Sequence, residues 1–297
     1  MSRDGRFAPS PTGTLHVGNL RTALLAWLFA RTAGARFLVR MEDLDQGRVV
    51  AGSAGQQLAD LRELGIDWDG EVVFQSHRDR AYEEAIERLL AADLLYECFC
   101  TRAEIRAAAS APHGPLPEGA YPGTCLRLTP AERARKRAGG RPPALRVRAD
   151  RARIAFQDRV HGAQEGVVDD FVVRRNDGAP AYNLAVVVDD AWQGIGEVVR
   201  GDDLLDSTPR QLFLAQALDL AAPDYAHVPL VLGPDGARLA KRHGAVTLGQ
   251  LDSRAVLRWM ATTLGMEGAT TAAEMRERFD LGALPRAPTR WAGLPRA

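Results

Sequence analysis

The chain has 297 residues, enough for one large domain or two modest ones, and its 46% apolar content is ample for a core. Thirty-eight basic residues balance thirty-eight acidic ones, so the overall charge points to no polyanionic partner. Three cysteines argue against a secreted disulfide framework, and no secretory or membrane-spanning pattern is read, so a soluble cytoplasmic protein is expected.

The first ninety residues alternate in an α/β manner. Gly5 to Ala8, Arg36 to Met41 and Val72 to Gln75 have strand character, and Leu15 to Thr32, Ala51 to Leu64 and Arg80 to Ala92 carry helical periodicity. This alternation predicts a parallel sheet with helices on its faces and ligands at the carboxyl ends of its strands. Arg6 to Asn19, RFAPSPTGTLHVGN, combines a short strand, a turn rich in proline and glycine, and a helix start. A helix start favours an anion through its unpaired N–H groups and dipole, and His16 adds a donor that can carry charge, so the segment suits phosphate.

From about Tyr96 the character changes. Cys98 and Cys100 are spaced i, i+2 and face the same side of an extended chain, and Cys125 follows a proline-rich loop, an arrangement that suits a shared metal. Chemistry alone nominates His113 as a fourth ligand, since imidazole is a commoner zinc ligand than phenol. Between Arg127 and Arg153 basic residues gather, among them Arg133, Arg135, Lys136, Arg137 and Arg148, as a patch that can track a phosphate backbone or form a solvated face. The sheet is expected to resume near Leu184 to Val188 and to continue through Val228 to Leu232, with a helix at Pro209 to Leu218. Further on, Ala255 to Leu264 is helical and the tail is rich in proline and arginine. Lys241 is one of two lysines against 36 arginines, a bias that keeps lysine where a compact point charge is needed.

The RFAPSPTGTLHVGN run resembles the first signature of class I aminoacyl-tRNA synthetases of the glutamyl and glutaminyl branch, in which an H-x-G-[HN] tetrad follows R-F-A-P-S-P-T-G. Asn19 occupies the last place, where histidine is commoner. Gly236 to Ala245, GARLAKRHGA, is similar to the mobile K-M-S-K-S loop, with Arg238, Ala240, Lys241 and Arg242 at its first lysine, serine, second lysine and final serine. The resemblance implies a Rossmann-type parallel sheet that activates an amino acid with ATP and magnesium. It places His16 and Lys241 in catalysis, and His16, Gly18, Asn19, Arg238 and Lys241 on ATP. It places Arg6, Phe7, Ala8, Pro9, Ser10, Glu42, Tyr182 and Arg200 around the amino acid. Arg6 and Arg200 favour glutamate over glutamine, since a bidentate arginine supplies both charge and geometry to a carboxylate.

The C-x-C…Y-x-x-x-C pattern resembles small glutamyl-type synthetases without an anticodon domain, where Tyr121 closes a structural zinc site with Cys98, Cys100 and Cys125. The implied division is 1–95 and 184–245 as the two Rossmann halves, 96–183 as an inserted, acceptor-binding-like subdomain with the zinc, and 246–297 as a short helical segment. About fifty residues beyond the Lys241 loop are too few for a helical anticodon reader. The whole pattern resembles the glutamyl-Q tRNA(Asp) synthetase family, which joins glutamate to queuosine in the anticodon loop of tRNA(Asp). Rival readings are a conventional glutamyl-tRNA synthetase acting on a 3′ end and a catalytically silent tRNA-binding paralogue. Pyrophosphate exchange with and without tRNA separates them.

Overall fold

The computed structural model describes residues 3–101, 103–105, 120–244 and 246–294, with the side chain of Lys241 outside that description. The chain opens with β1 (Gly5–Phe7), α1 (Val17–Thr32), β2 (Phe37–Met41), α2 (Ser53–Glu63), β3 (Val73–Phe74) and α3 (Asp79–Ala91). There follow β4 (Leu95–Cys98), α4 (Pro130–Ala138), β5 (Ala144–Val147), β6 (Arg153–Asp158), β7 (Gly162–Val167) and β8 (Val172–Arg174). Next come α5 (Tyr182–Gln193), β9 (Glu197–Gly201), α6 (Thr208–Ala217), β10 (Asp224–Val228) and β11 (Val231–Leu232), and the described chain ends with α7 (Ser253–Thr263), α8 (Ala272–Arg278) and β12 (Thr289–Arg290). Among the described residues no helix is long and apolar enough to cross a membrane.

Strands β1, β2 and β3 pair in parallel, as do β9 and β10. The two sets meet where the N–H groups of Gly196 and Glu197 reach the carbonyl of Asp4 at 3.0 and 3.2 Å. Helix α1 is apolar almost all round because it packs on β1 and β9 while α8 closes over it, and Leu20, Leu24 and Leu28 are fully buried. A second core lies beneath an antiparallel β4–β5–β8 sheet and gathers Leu89, Val147, Val173, Leu184 and Leu214. The β6–β7 hairpin extends the parallel sheet instead, since Asp158 on β6 pairs with Tyr225 on β10.

The expectation that Leu184 to Val188 resumes the sheet is wrong. That run lies inside α5, which stops at Gly194 in the left-handed conformation (φ 69°), and Leu184, Ala185, Val186 and Val187 are buried, three of them in the second core. The sheet resumes at β9. As far as it is described, the proline-rich tail packs on the body: β12 pairs in parallel with β11, and the Trp291 ring meets Trp259 edge-on at 4.9 Å.

Candidate active site

The turn after β1 is clamped from α2. Ser53 exchanges hydrogen bonds with the Gly13 backbone, and the Gln57 amide donates to the carbonyls of Ser10 and Gly13 at 3.1 and 2.7 Å. His16 is the N-cap of α1: its Nδ1 accepts from the Asn19 N–H at 3.2 Å, and the Asn19 side-chain oxygen accepts from the His16 N–H at 3.3 Å. At Gly18 a β-carbon would stand 3.0 Å from His16 Nδ1 and 3.2 Å from the Val231 β-carbon, so a side chain there would displace the ring. The helix start, its cap and β11 therefore close on one another.

These elements wall a cavity of about 640 Å³. Arg6, Phe7, Ala8, Pro9, Ser10, His16, Gly18, Asn19, Glu42, Tyr182, Arg200 and Arg238 all line it, so residues far apart in sequence converge. Arg48 lines it too, a cation that the sequence reading did not single out. Arg238 is paired across the wall with Asp203. Lys241 begins a short 3₁₀ turn, stabilised where His243 Nδ1 accepts from the Ala240 N–H at 3.1 Å.

Behind the cavity lies a buried ionic network. Arg6 donates through Nε and Nη2 to the two carboxylate oxygens of Asp190, each at 3.2 Å. Arg40, wholly buried, donates to Asp190 at 2.8 Å and to the Gln193 side chain at 2.6 Å, and lies 3.4 Å from Glu42. Asp189 in turn accepts from Gln75, Arg78 and Tyr82. Burial pushes Glu42 above the usual carboxylate range despite Arg40 and Arg6. Asp190 is buried as well, yet Arg6 and Arg40 outweigh that and hold it below its ordinary value.

Arg200 is engaged on most sides, with donations to His227, Gln211, Thr208 and the Leu204 carbonyl. A guanidinium has five N–H donors, so these four contacts leave one. The bidentate grip on a substrate carboxylate expected of Arg200 is not available here. Arg6 keeps its Nη1 edge, since Asp190 takes only Nε and Nη2.

Away from the cavity, the Sγ atoms of Cys98, Cys100 and Cys125 lie within 4.8 Å of one another. The Tyr121 hydroxyl sits 3.4 Å from Cys98 Sγ and 3.5 Å from Cys100 Sγ. The contact between Cys98 and Cys125, with burial adding to it, pushes the Cys98 thiol up to about 12, and the same contact holds the Cys125 thiol down at about 6. The Arg146 guanidinium lies over the Tyr121 ring at 3.7 Å. His113 lies outside the described residues.

Residues 4–281 match the family model of the class I tRNA synthetases (E and Q), catalytic domain. The chain is 60% identical to the glutamyl-Q tRNA(Asp) synthetase of Nocardia farcinica, over 96% of this chain and 91% of that one. The chain belongs to the glutamyl-Q tRNA(Asp) synthetase family. A member from Symbiobacterium thermophilum is 50% identical over 96% of this chain and 95% of its own. Among solved structures, a glutamate tRNA ligase from Elizabethkingia meningosepticum, in complex with its amino acid, superposes with a TM-score of 0.83 at 28% identity, over 98% of this chain and 67% of that one. The Rossmann-like α/β architecture is thus the class I synthetase catalytic fold.

Arg40, Asp190, Asp158 and His227 carried no assigned role in the sequence reading. For Arg40 and His227 the signal is a charged or polar residue beside apolar ones, Arg40 within Phe37–Met41 and His227 between Ala226 and Val228, because such a group has to be paired once buried; Asp158 and Asp190 sit beside other polar residues and carry no such signal. Arg40→Met should strip Asp189, Asp190 and Glu42 of their shared cation and cost about 3–5 kcal/mol, read as a lower urea midpoint at unchanged slope.

Proposed function

We propose that this chain activates L-glutamate with ATP to glutamyl-adenylate and transfers the glutamyl group to the queuosine base in the anticodon loop of tRNA(Asp). The observation that carries this is the single cavity in which a capped helix start, Arg6, Glu42 and Arg200 converge, in a chain so similar to relatives of that name. A glutamate carboxylate oxygen attacks the α-phosphorus of ATP in line, the bond to pyrophosphate breaks, and a hydroxyl of the acceptor base later displaces AMP from the acyl carbon. Charge grows on the phosphoryl oxygens in the first step, so fixed donors placed around them matter most.

Within this reading His16, Gly18, Asn19, Arg238 and Lys241 serve the nucleotide, which enters as its magnesium complex. Arg6 offers its Nη1 edge to the substrate side-chain carboxylate while Asp190 holds the other edge, and Arg200 contributes its remaining N–H. The α-ammonium group lies toward Glu42, whose raised pKa falls again when a cation arrives. Phe7, Ala8, Pro9, Ser10 and Tyr182 shape the pocket. Residues 1–95 and 184–245 supply the nucleotide-binding halves, 96–183 the inserted subdomain and 246–297 the short helical segment of a cytoplasmic enzyme. Arg133, Arg135 and Lys136 on α4 are candidate contacts to tRNA phosphates.

The cysteine cluster is read as a structural zinc site of Cys98, Cys100, Tyr121 and Cys125. Ligands about 2.3 Å from a tetrahedral zinc stand about 3.8 Å apart, so the spacing of three sulfurs and a phenol oxygen fits the ion. Zinc would fasten β4 to the 121–125 turn and leave no position for substrate.

Three outcomes check the reading. Lys241→Ala should lower glutamate-dependent pyrophosphate exchange by about two decades with glutamate affinity nearly unchanged, as expected of a charge used mainly in the transition state. Metal analysis should find one zinc per chain, lost in Tyr121→Phe; zinc kept in that variant but lost in His113→Ala would make the imidazole the fourth ligand. Labelled glutamate should pass to tRNA(Asp) carrying queuosine and survive periodate removal of the 3′ adenosine. Efficient charging of unmodified tRNA(Glu) would instead establish a conventional 3′-end enzyme, and no exchange at all a silent paralogue.

A further inference from the structure

Arg200 reaches the cavity from β9, and its orientation is set by groups on three other elements. Its Nε donates to His227 Nε2 on β10 at 3.0 Å, and its Nη atoms donate to Gln211 and Thr208 on α6 at 2.7 and 2.8 Å. His227 Nδ1 lies 2.7 Å from Asp158 Oδ2 on β6, and both side chains are wholly buried. Asp158 also accepts from the N–H groups of Val160, His161 and His227.

The protonation of this chain of groups follows from what each can donate. Arginine only donates, so Nε2 of His227 has to accept. An ionised aspartate only accepts, so Nδ1 carries the proton. Burial would raise the Asp158 carboxyl, but the bonds from His227, His161 and Val160 outweigh it and hold it below its usual range. Burial, with Arg200 adding to it, pushes the His227 imidazole down and keeps it neutral. The ring is further fixed by Tyr225, stacked on it at 5.9 Å and 8°.

We propose that Asp158 and His227 are positioning residues for Arg200: Asp158 selects the Nδ1–H tautomer of His227, whose Nε2 then holds the guanidinium in the orientation presented to the substrate cavity. What the cavity holds rests on the glutamate reading given above. The arrangement parallels an aspartate that fixes a catalytic histidine, except that the oriented group is a substrate-binding cation.

Asp158→Asn in the full chain is the sharpest test. The Asn oxygen can still accept from Val160 and His161, which both use Oδ1 of Asp158, and from the His227 N–H, which lies 3.4 Å from Oδ1, while its NH₂ replaces Oδ2, gives up the 3.1 Å bond from that N–H and donates to Nδ1. The proton then moves to Nε2, where it can turn to the Thr208 hydroxyl oxygen 3.2 Å away but leaves Arg200 Nε–H without its acceptor. Nitrogen-15 NMR of the His227 ring should show the Nδ1–H tautomer in the wild type and Nε2–H in the variant. In pyrophosphate exchange the glutamate KM should rise about ten- to hundredfold while the ATP KM stays within about twofold. His227→Gln, whose amide oxygen can accept from Arg200, should retain most of the glutamate affinity, and His227→Leu should lose it. This pair decides the matter if Asp158→Asn fails to fold.

An Nε2–H or charged His227 in the wild type would overturn the proposal. So would a switched tautomer with unchanged glutamate KM, or equal losses in His227→Gln and His227→Leu. A wild-type protein with no glutamate-dependent exchange fails the functional reading before any variant is compared, and the ring spectrum reports on the tautomer independently of it.

Discussion

The contact between Arg40 and Asp190 joins two parts of the chain 150 residues apart, and much of the site is arranged around it. Arg40 rises from β2, and Asp190 sits near the end of α5. Between them they bring Arg6 to one side and Glu42 to the other. Charges at this depth are expensive, since desolvating each costs several kcal/mol, and here the partners offset it incompletely, because Arg40 Nε makes no hydrogen bond and only faces Asp189 at 3.7 Å. An apolar pair of the same volume would serve stability as well. The network is better understood as a frame that keeps a guanidinium and a carboxylate a fixed distance apart at the edge of a cavity.

The legibility of the sequence tracks how local each cause is. The strand, turn and helix from Gly5 to Thr32 were readable because proline, glycine and a capping residue act within a few positions of one another. The run Leu184 to Val188 misled because three consecutive β-branched residues suggest a strand. Leu184 to Val187 are buried one after another, so within that run the polar interruptions that normally betray a helix are missing, and Asp189 and Asp190 follow only after it. Gly194, left-handed at the helix end, was the available stop signal.

At the site, the residues within the two motif-like segments could be named from their neighbours in sequence. The residues that hold them could not. Asp190 meets Arg6 across 184 positions and Asp158 meets His227 across 69, and such pairings leave no periodicity to read. The consequence for Arg200 was specific: sequence suggested a bidentate grip on substrate, whereas most of its donors are spent on Gln211, Thr208, His227 and Leu204. Composition can propose a cation, but only the fold shows how many of its hydrogens remain.

The Arg238–Asp203 pair at the cavity wall bears on how the site should respond to its medium. Added salt weakens an exposed ion pair and an exposed cation–anion contact with ligand by similar amounts. On the proposed reading, a nucleotide that takes Arg238 from Asp203 exchanges one partner for another, so the two losses largely cancel. Affinity should therefore depend on ionic strength less steeply than the number of arginines around the cavity would suggest.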